Sequence, residues 1–205
     1  MSSAYIKSHL RGILAMAFDH EGWEDYLDRT VDGVFRSFWV LVPGFFIALV
    51  TSTILGPAIE EIRVSQGADA QEPASLSLIA SYIFLFLRYV LDWFLVLGFL
   101  VIIARKLRTK ISGVDLVIGY NWVQLMITLL AIIPSLVYVV SRSADTAILV
   151  MFPVLILTAV LMWGILRRSM HGIDKPLIAL VLIGVFIVSL MANNLVVMLA
   201  QLVSH

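Results

Sequence analysis

Two opposite charges stand four residues apart inside a long apolar run, in the string FLRYVLDWF that contains Arg88 and Asp92. Residues spaced by four lie on one face of a helix, close enough for their side chains to interact. A charge inside a membrane is costly and is normally paired or functional. The spacing therefore predicts either an ion pair or a binding site for an ion, a proton or a lipid headgroup.

Side-chain amides also fall within apolar runs, and together with the two charges they form a candidate intramembrane polar cluster of Arg88, Asp92, Asn121, Gln124, Asn193 and Asn194. At about 1.5 Å per residue, Arg88 and the two adjacent asparagines lie at a similar depth. Three interpretations stay open. The cluster is a satisfied ion pair that fixes helix register, or it is a binding site, or Arg88 reaches the outer interface and only anchors its helix.

Five apolar stretches must position these residues, at about 38–56, 78–104, 116–140, 146–166 and 176–202. Each holds the roughly 20 apolar residues that a helix needs to cross a hydrocarbon core about 30 Å thick. The 205-residue chain is 61% hydrophobic and 14% charged, and its mean hydropathy is +1.01. A water-soluble domain of this size does not have such a composition. The sequence predicts an all-α, polytopic integral membrane bundle of five transmembrane helices.

Residue types that commonly support catalysis or metal binding are scarce. The chain has no cysteine, which excludes disulfides, thiolate metal sites and thiol nucleophiles. The histidines, His9, His20, His171 and His205, all lie outside the apolar stretches. His171 and Asp174 share a short basic loop, where two such residues are typical of an ordinary surface. We expect no enzyme activity and no cofactor or metal, and the absence of an extended basic patch argues against a nucleic-acid partner.

The basic residues are distributed unevenly between the two sides of the predicted bundle. Eleven of the fourteen fall in the amino-terminal segment or in the loops after the second and fourth spans, and only Arg63 and Arg142 fall in the opposite loops. The positive-inside rule then places the amino terminus in the cytoplasm and, after five crossings, the carboxyl terminus on the far side.

Residues 1–37 precede the membrane domain, which we expect at 38–205. Apolar residues recur at helical spacing from Ile6 to Ala17, and again from Trp23 to Phe38, which predicts two amphipathic helices along the cytoplasmic interface. The second has an acidic outer face of Glu21, Glu24, Asp25, Asp28 and Asp32. This face is either a solvated surface of a helix packed under the bundle or a docking surface for a basic partner.

Small residues form a stripe along the first span, at Gly44, Ala48, Ser52 and Gly56. Membrane helices associate through close van der Waals contact, which small side chains permit. The stripe predicts a packing face for another span of the chain, with a homodimer or a partner helix as alternatives.

The entry to the third span, SGVDLVIGYNWVQLMITLLAIIP at 112–134, together with five spans and a cytoplasmic amino-terminal region, resembles the Yip1-type membrane domain in its short bacterial form. The likeness covers roughly residues 34–202. The resemblance implies a protein without enzyme activity, located in a bacterial inner membrane. Eukaryotic relatives associate with Rab GTPases and reticulon-like proteins in vesicle traffic, but Rab binding is not carried over, because the long amino-terminal domain of many relatives is missing here.

These observations favour a non-catalytic membrane scaffold or accessory subunit that acts through helix packing and its amino-terminal segment. The alternative is a small transporter or channel for protons, ions or lipid that uses Arg88 and Asp92. A pore predicts a wide polar stripe shared by several spans, whereas an accessory subunit predicts a dry bundle with an apolar outer groove. The expected partners are membrane lipids and another membrane protein or a second copy of the chain.

The distribution of basic residues makes a testable prediction about topology. Reporter fusions at His171 and at His205 should report opposite sides of the membrane, because one further span separates the two positions. Fusions that report the same side would contradict the fifth crossing.

Overall fold

The computed structural model describes residues 2–65, 78–107 and 112–204, and these are helical without any strand. The α-helices are α1 (Ser3–Ala17), α2 (Val31–Ser37), α3 (Leu41–Ser65), α4 (Leu78–Lys106), α5 (Gly113–Leu130), α6 (Ile132–Ser141), α7 (Ala144–Ser169) and α8 (Lys175–Ser204). Short 3₁₀ turns cover Trp23–Tyr26 and Phe38–Val40. Two of the counted basic residues, Arg108 and Lys110, and also His205, lie outside the described residues.

Five helical segments are long and apolar enough to cross a membrane: Val31–Ile62, Ala80–Lys106, Gly113–Ser141, Ala144–Ser169 and Lys175–Leu202. The predicted all-α fold class with five membrane-spanning helices is therefore confirmed. The first segment is longer than the apolar run at 38–56, because α2, a 3₁₀ turn and α3 follow one another without a break in the helical path.

Side-chain hydroxyls mark the start of several helices. Ser2, Thr30, Ser112 and Ser143 each accept a hydrogen bond from the backbone N–H three residues ahead, at the first turns of α1, α2, α5 and α7. The first N–H groups of a helix have no partner within the helix, so such a cap satisfies one of them.

The third crossing is divided into two helices. α5 ends at Leu130 and α6 begins at Ile132, where the sequence predicts one helix over 116–140. Pro134 explains the break, because proline has no N–H to donate to the carbonyl of Leu130 and its ring crowds that carbonyl. Pro153 lies inside α7, which is nevertheless one continuous helix.

Helices that follow one another in the chain are not always the closest neighbours in the bundle, and this affects the candidate site. α4 packs along α8, α7 packs on α5 and α6, and α3 packs mainly on α5 and α6. The consecutive helices α3 and α4 make only a small contact, near Gly44 and Tyr89. Space is therefore left on either side of this contact.

The amino-terminal segment is part of the bundle core. α1 packs against α5 and α7, and Ile13 and Met16 are fully buried there. A second continuous helix over 23–38 is not formed, because Leu27 is extended and α2 begins only after the Thr30 cap. The Leu27 side chain packs over Gly12 of α1, with its Cδ2 atom 2.7 Å from where a Cβ on Gly12 would be. Residues 2–37 thus share one hydrophobic core with the five long helices.

The packing of α1 on α7 can be tested by a substitution at Gly164. Replacing Gly164 by alanine should separate the two helices, because the new Cβ would overlap the backbone of Ala17. Overpacking costs about 1–3 kcal/mol, so the variant should melt at a lower temperature in detergent.

The matched control for this substitution is Gly98→Ala in α4, where a Cβ meets no atom within 4 Å. Alanine is favoured over glycine inside a helix by roughly 1 kcal/mol, so this control should melt unchanged or slightly higher. Equal melting temperatures for the two variants would contradict the docking of α1 on α7.

Candidate functional site

A polar cavity of about 160 Å³ lies between α3, α4 and α8. We call it the Arg88–Asp92 pocket, and its walls are Ala48, Ser52, Leu85, Arg88, Tyr89, Asp92, Ser189 and Asn193. Helical periodicity explains this set. Four of the residues recur on one face of α4 at spacings of three and four, and each of the other helices contributes a pair spaced by four.

The small-residue stripe of α3 forms one wall of this pocket. Gly44 is buried against the Tyr89 hydroxyl, and a Cβ there would overlap that oxygen. Ala48 and Ser52 line the cavity beyond this contact. Gly56 is exposed, and a Cβ at that position would meet no atom within 4 Å. Within the described residues, the stripe therefore permits close helix packing at Gly44 alone. Farther along α3, its small side chains leave room for the cavity.

Arg88 and Asp92 face the same cavity without forming an ion pair. In the described part of the chain no nitrogen of Arg88 lies within 4.0 Å of the Asp92 carboxylate. The Asp92 Oδ1 atom is buried and has no hydrogen-bond partner among the described residues, and the same is true of the Asn193 Oδ1 atom. The satisfied ion pair considered from the sequence is not formed, and two acceptors in the walls of the cavity lack donors.

Asn121 belongs to a different and fully satisfied network. Its Oδ1 accepts a hydrogen bond of 2.9 Å from Trp93 Nε1, and its Nδ2 donates one of 2.8 Å to Ser37 Oγ. Ser37 in turn donates to the carbonyl oxygen of Val34 at 2.6 Å. The network joins α2, α4 and α5, so Asn121 fixes how these helices pack.

The remaining two amides are also separate from the pocket. Gln124 donates from Nε2 to the Tyr120 hydroxyl at 2.9 Å, and that hydroxyl donates to the carbonyl oxygen of Trp93 at 3.3 Å. Asn194 is exposed on the outer surface of α8. Of the four predicted amides, the structure therefore brings only Asn193 to Arg88 and Asp92.

Sequence reasoning missed the contribution of Ser189 and Tyr89 to the pocket, and it placed Ser52 only in a packing stripe. Ser189 lies four residues before Asn193, on the same face of α8, and its hydroxyl lies beside the Asp92 carboxylate. A search for polar residues spaced by four within each span identifies Ser189. The contribution of α3 follows only from knowing which helices are neighbours.

Three ion pairs, which we call the anchoring pairs, hold the amino-terminal segment to the bundle. Arg29 binds both carboxylate oxygens of Asp115, Nε to Oδ1 at 2.6 Å and Nη2 to Oδ2 at 2.8 Å. Hydrogen bonding to Asp115 raises the pKa of Arg29. Asp19 accepts from Arg167 at 2.6 Å and also pairs with Arg168. The bidentate pair holds an almost fully buried carboxylate, which makes it the strongest of the three.

His9 is the buried polar residue of α1. Its ring stacks on Trp122 at 4.8 Å between centroids. The Nε2 atom accepts a hydrogen bond of 3.0 Å from the backbone N–H of Asp28, and Nδ1 lies 2.9 Å from the carbonyl oxygen of Tyr5. This arrangement requires a neutral ring with its proton on Nδ1. Burial lowers the pKa of His9 accordingly.

The described residues contain no group of three or more His, Cys, Asp or Glu side chains that could hold a metal ion. Comparison of the chain with protein-family models, with curated proteins and with solved structures gives no match. The function of the chain therefore has to be inferred from the pocket, the anchored segment and the outer surface of the bundle.

The His9 contacts predict a pH dependence of stability. The pKa of His9 is lowered in the folded protein, so the unfolded chain binds the proton more readily, and stability is complete above the ordinary value of 6.5 and falls as the pH drops below it. The melting temperature in detergent should decrease between about pH 7.5 and about pH 5.5, the interval in which histidine titrates.

A pair of histidine variants identifies the group responsible. His9→Gln should melt lower than wild type at neutral pH but change little over the same interval, whereas the exposed His20→Gln should keep the wild-type slope. The pKa of Asp28, which contacts His9 through its backbone, is lowered by its hydrogen bond to Thr30, so that carboxyl titrates below this interval. An unchanged slope in His9→Gln would rule out His9 as the source.

Proposed function

We propose that this protein is a non-catalytic membrane scaffold or accessory subunit, as the resemblance to the Yip1-type membrane domain implies. It would lie in a bacterial inner membrane with its amino terminus in the cytoplasm. The observation that carries the proposal is an apolar groove on the outer surface of the bundle, next to a core filled by large buried side chains.

The groove runs between α3 and α4 on a face adjacent to the Arg88–Asp92 pocket. We call it the aromatic groove; it has a volume of about 400 Å³ and is lined by Phe38, Leu41, Val42, Phe45, Phe46, Phe86, Tyr89, Val90 and Phe94. Phe45 and Phe86 meet edge to face across it, with centroids 5.2 Å apart. In lipid, helices associate through shape and van der Waals contact, so a groove walled by rigid rings is suited to receive side chains of a partner helix.

The core at the α1 end of the bundle supports an accessory role over a pore. Trp122 and Tyr120 are fully buried, Leu100 has no exposed surface, and Trp93 is 2% exposed. These large side chains belong to one hydrophobic core to which α1, α4 and α5 all contribute. A channel needs polar groups along its whole length, whereas the Arg88–Asp92 pocket, as the described residues form it, is small and lined by three helices.

The anchored amino-terminal segment supplies a second surface for a partner. Glu21, Asp25 and Asp32 are exposed, while the anchoring pairs and the His9 contacts hold the backbone that carries them. A fixed array of carboxylates is suited to a basic partner, because rim charges of opposite sign steer and orient association. This segment would then recognise the partner outside the membrane, and the aromatic groove would recognise it inside.

A transporter for protons, ions or lipid remains the second candidate function. It is favoured by the buried Asp92 Oδ1 atom, which has no partner in the Arg88–Asp92 pocket. Intramembrane carboxylates of this kind mark ion or proton pathways in many membrane proteins. Substrate or proton flux in proteoliposomes that Asp92→Asn abolishes would support this candidate.

The scaffold proposal predicts site-specific crosslinking to protein. A photoreactive phenylalanine analogue at Phe46 or Phe86 should yield discrete protein adducts in cells, because both side chains are exposed in the aromatic groove. The matched controls are Leu180 and Leu190 on α8, which are similarly exposed but lie outside the groove. They should yield lipid adducts only.

Two differently tagged copies of the chain distinguish the kinds of partner. An adduct that contains both tags identifies a second copy, and an adduct with one tag identifies a different membrane protein. Lipid adducts alone at all four positions would contradict a helix-binding role for the aromatic groove.

A further inference from the structure

We propose that the Arg88–Asp92 pocket binds the headgroup of an aminophospholipid, whose ammonium group contacts Asp92 and Asn193 and whose phosphate contacts Arg88. This inference concerns a site separate from the aromatic groove and does not depend on the proposed scaffold role.

The acceptors in the pocket identify the first half of the ligand. Within the part of the chain that the structure describes, Asp92 Oδ1 and Asn193 Oδ1 are both buried without a hydrogen-bond partner, and such groups are rare because leaving them unpaired is costly. Both atoms belong to residues that line one cavity. The missing partner is therefore a hydrogen-bond donor, and a carboxylate favours a cationic donor. A primary ammonium group, with three N–H donors, can satisfy both oxygens together.

The Arg88 side chain identifies the second half of the ligand, its phosphate group. Its guanidinium makes no ion pair with Asp92 within the described chain, and it carries five donors in a planar fork that matches phosphate geometry. Arg88 and Asp92 are one helical turn apart, about 6 Å along the axis of α4. An ethanolamine headgroup holds its ammonium and phosphate apart by two carbons and an ester oxygen, a comparable separation. A single metal ion or proton would satisfy Asp92 and leave Arg88 without a partner.

The shape of the cavity suits a headgroup that enters from the bilayer. A volume of about 160 Å³ is too small for a helix or a whole lipid. α3 and α8 each pack on other helices but not on one another in the described part of the chain, so the pocket opens sideways between them. Ser52 of α3 and Arg88 of α4 are exposed at this opening. The acyl chains of the bound lipid would remain in the bilayer outside.

The chemistry of the pocket predicts which lipids are excluded. A choline headgroup has no N–H to donate, and its three methyl groups prevent close approach to Asp92 and Asn193. A glycerol headgroup has hydroxyl donors but no positive charge for Asp92. Phosphatidylethanolamine should therefore bind more tightly than phosphatidylcholine and phosphatidylglycerol of the same chain length.

Native mass spectrometry of the full chain, titrated with each of these three lipids, tests the proposal. Phosphatidylethanolamine should bind wild type about tenfold more tightly than phosphatidylcholine, the range expected for one charge-assisted hydrogen-bonded group. Asp92→Asn should remove this preference, because it affects the ammonium alone. Arg88→Gln should weaken binding of all three lipids, since each carries a phosphate. A purely structural role for either residue would not produce this difference.

Matched controls and a second variant keep the test decisive. Arg142→Gln and Asp145→Asn change exposed residues outside the pocket and should bind all three lipids as wild type does. If Asp92→Asn fails to fold, Asn193→Leu removes the other unpaired acceptor and should reduce the preference for phosphatidylethanolamine. Equal binding of the three lipids to wild type, or a preference that survives substitution of both Asp92 and Asn193, would overturn the proposal.

The same ligand chemistry could come from a soluble source, and one further arm distinguishes the two. Phosphoethanolamine is added to the protein in phosphatidylcholine nanodiscs. Failure to bind in this arm, with binding of phosphatidylethanolamine, supports a lipid ligand. Binding of soluble phosphoethanolamine that depends on Asp92, without binding of phosphatidylethanolamine, would overturn the lipid assignment.

Discussion

The structure depends on one constraint: inside the hydrocarbon of a bilayer, a helix gains nothing by hiding apolar side chains from lipid. Helices must instead be held by close approach and by polar groups that satisfy one another. Glycine permits the close approach at several helix contacts, among them Gly164 against the backbone of Ala17 and Gly184 against the ring of Phe99. The Trp93, Asn121 and Ser37 network supplies the polar connection. Together these contacts determine which helices are neighbours, and the neighbours determine where cavities remain.

The same constraint separates two kinds of polar residue within the bundle. Asn121 is buried with donor and acceptor both satisfied, so its place is explained by packing alone. Asp92 and Asn193 each have a buried acceptor atom that receives no hydrogen bond from the residues that the structure describes. All three are short polar side chains within spanning helices, but only the last two face a cavity. Burial alone does not distinguish a structural amide from a candidate ligand-binding residue. The difference is whether its buried polar atoms have hydrogen-bond partners.

Hydropathy is sufficient to predict five spanning helices, because each needs only length and apolar composition. Helical spacing alone also places Arg88 and Asp92 on one face of α4. Neither pattern reveals that Asn121 contacts Trp93 or that Asn193 lines the pocket with Asp92. The position of a residue along its helix predicts its depth in the membrane, but it does not show which helix is its neighbour. The apolar spacing of residues 23–38 predicts one helix, and this is wrong. That spacing is better explained by Trp23 and Leu27 packing on the bundle from a 3₁₀ turn and an extended segment.

The pairing of Asp19 with Arg167 joins residues 148 positions apart in the chain. A ribosome adds about 5–20 residues per second, so α1 emerges roughly 7–30 s before the end of α7 is made. During that interval α1 has an apolar face, and the α7 surface that covers part of this face in the folded protein is not yet complete. An amphipathic helix of this kind can bind to the membrane surface while the rest of the chain is being made. The amphipathic pattern of α1 is therefore suited to lipid headgroups as well as to the finished bundle.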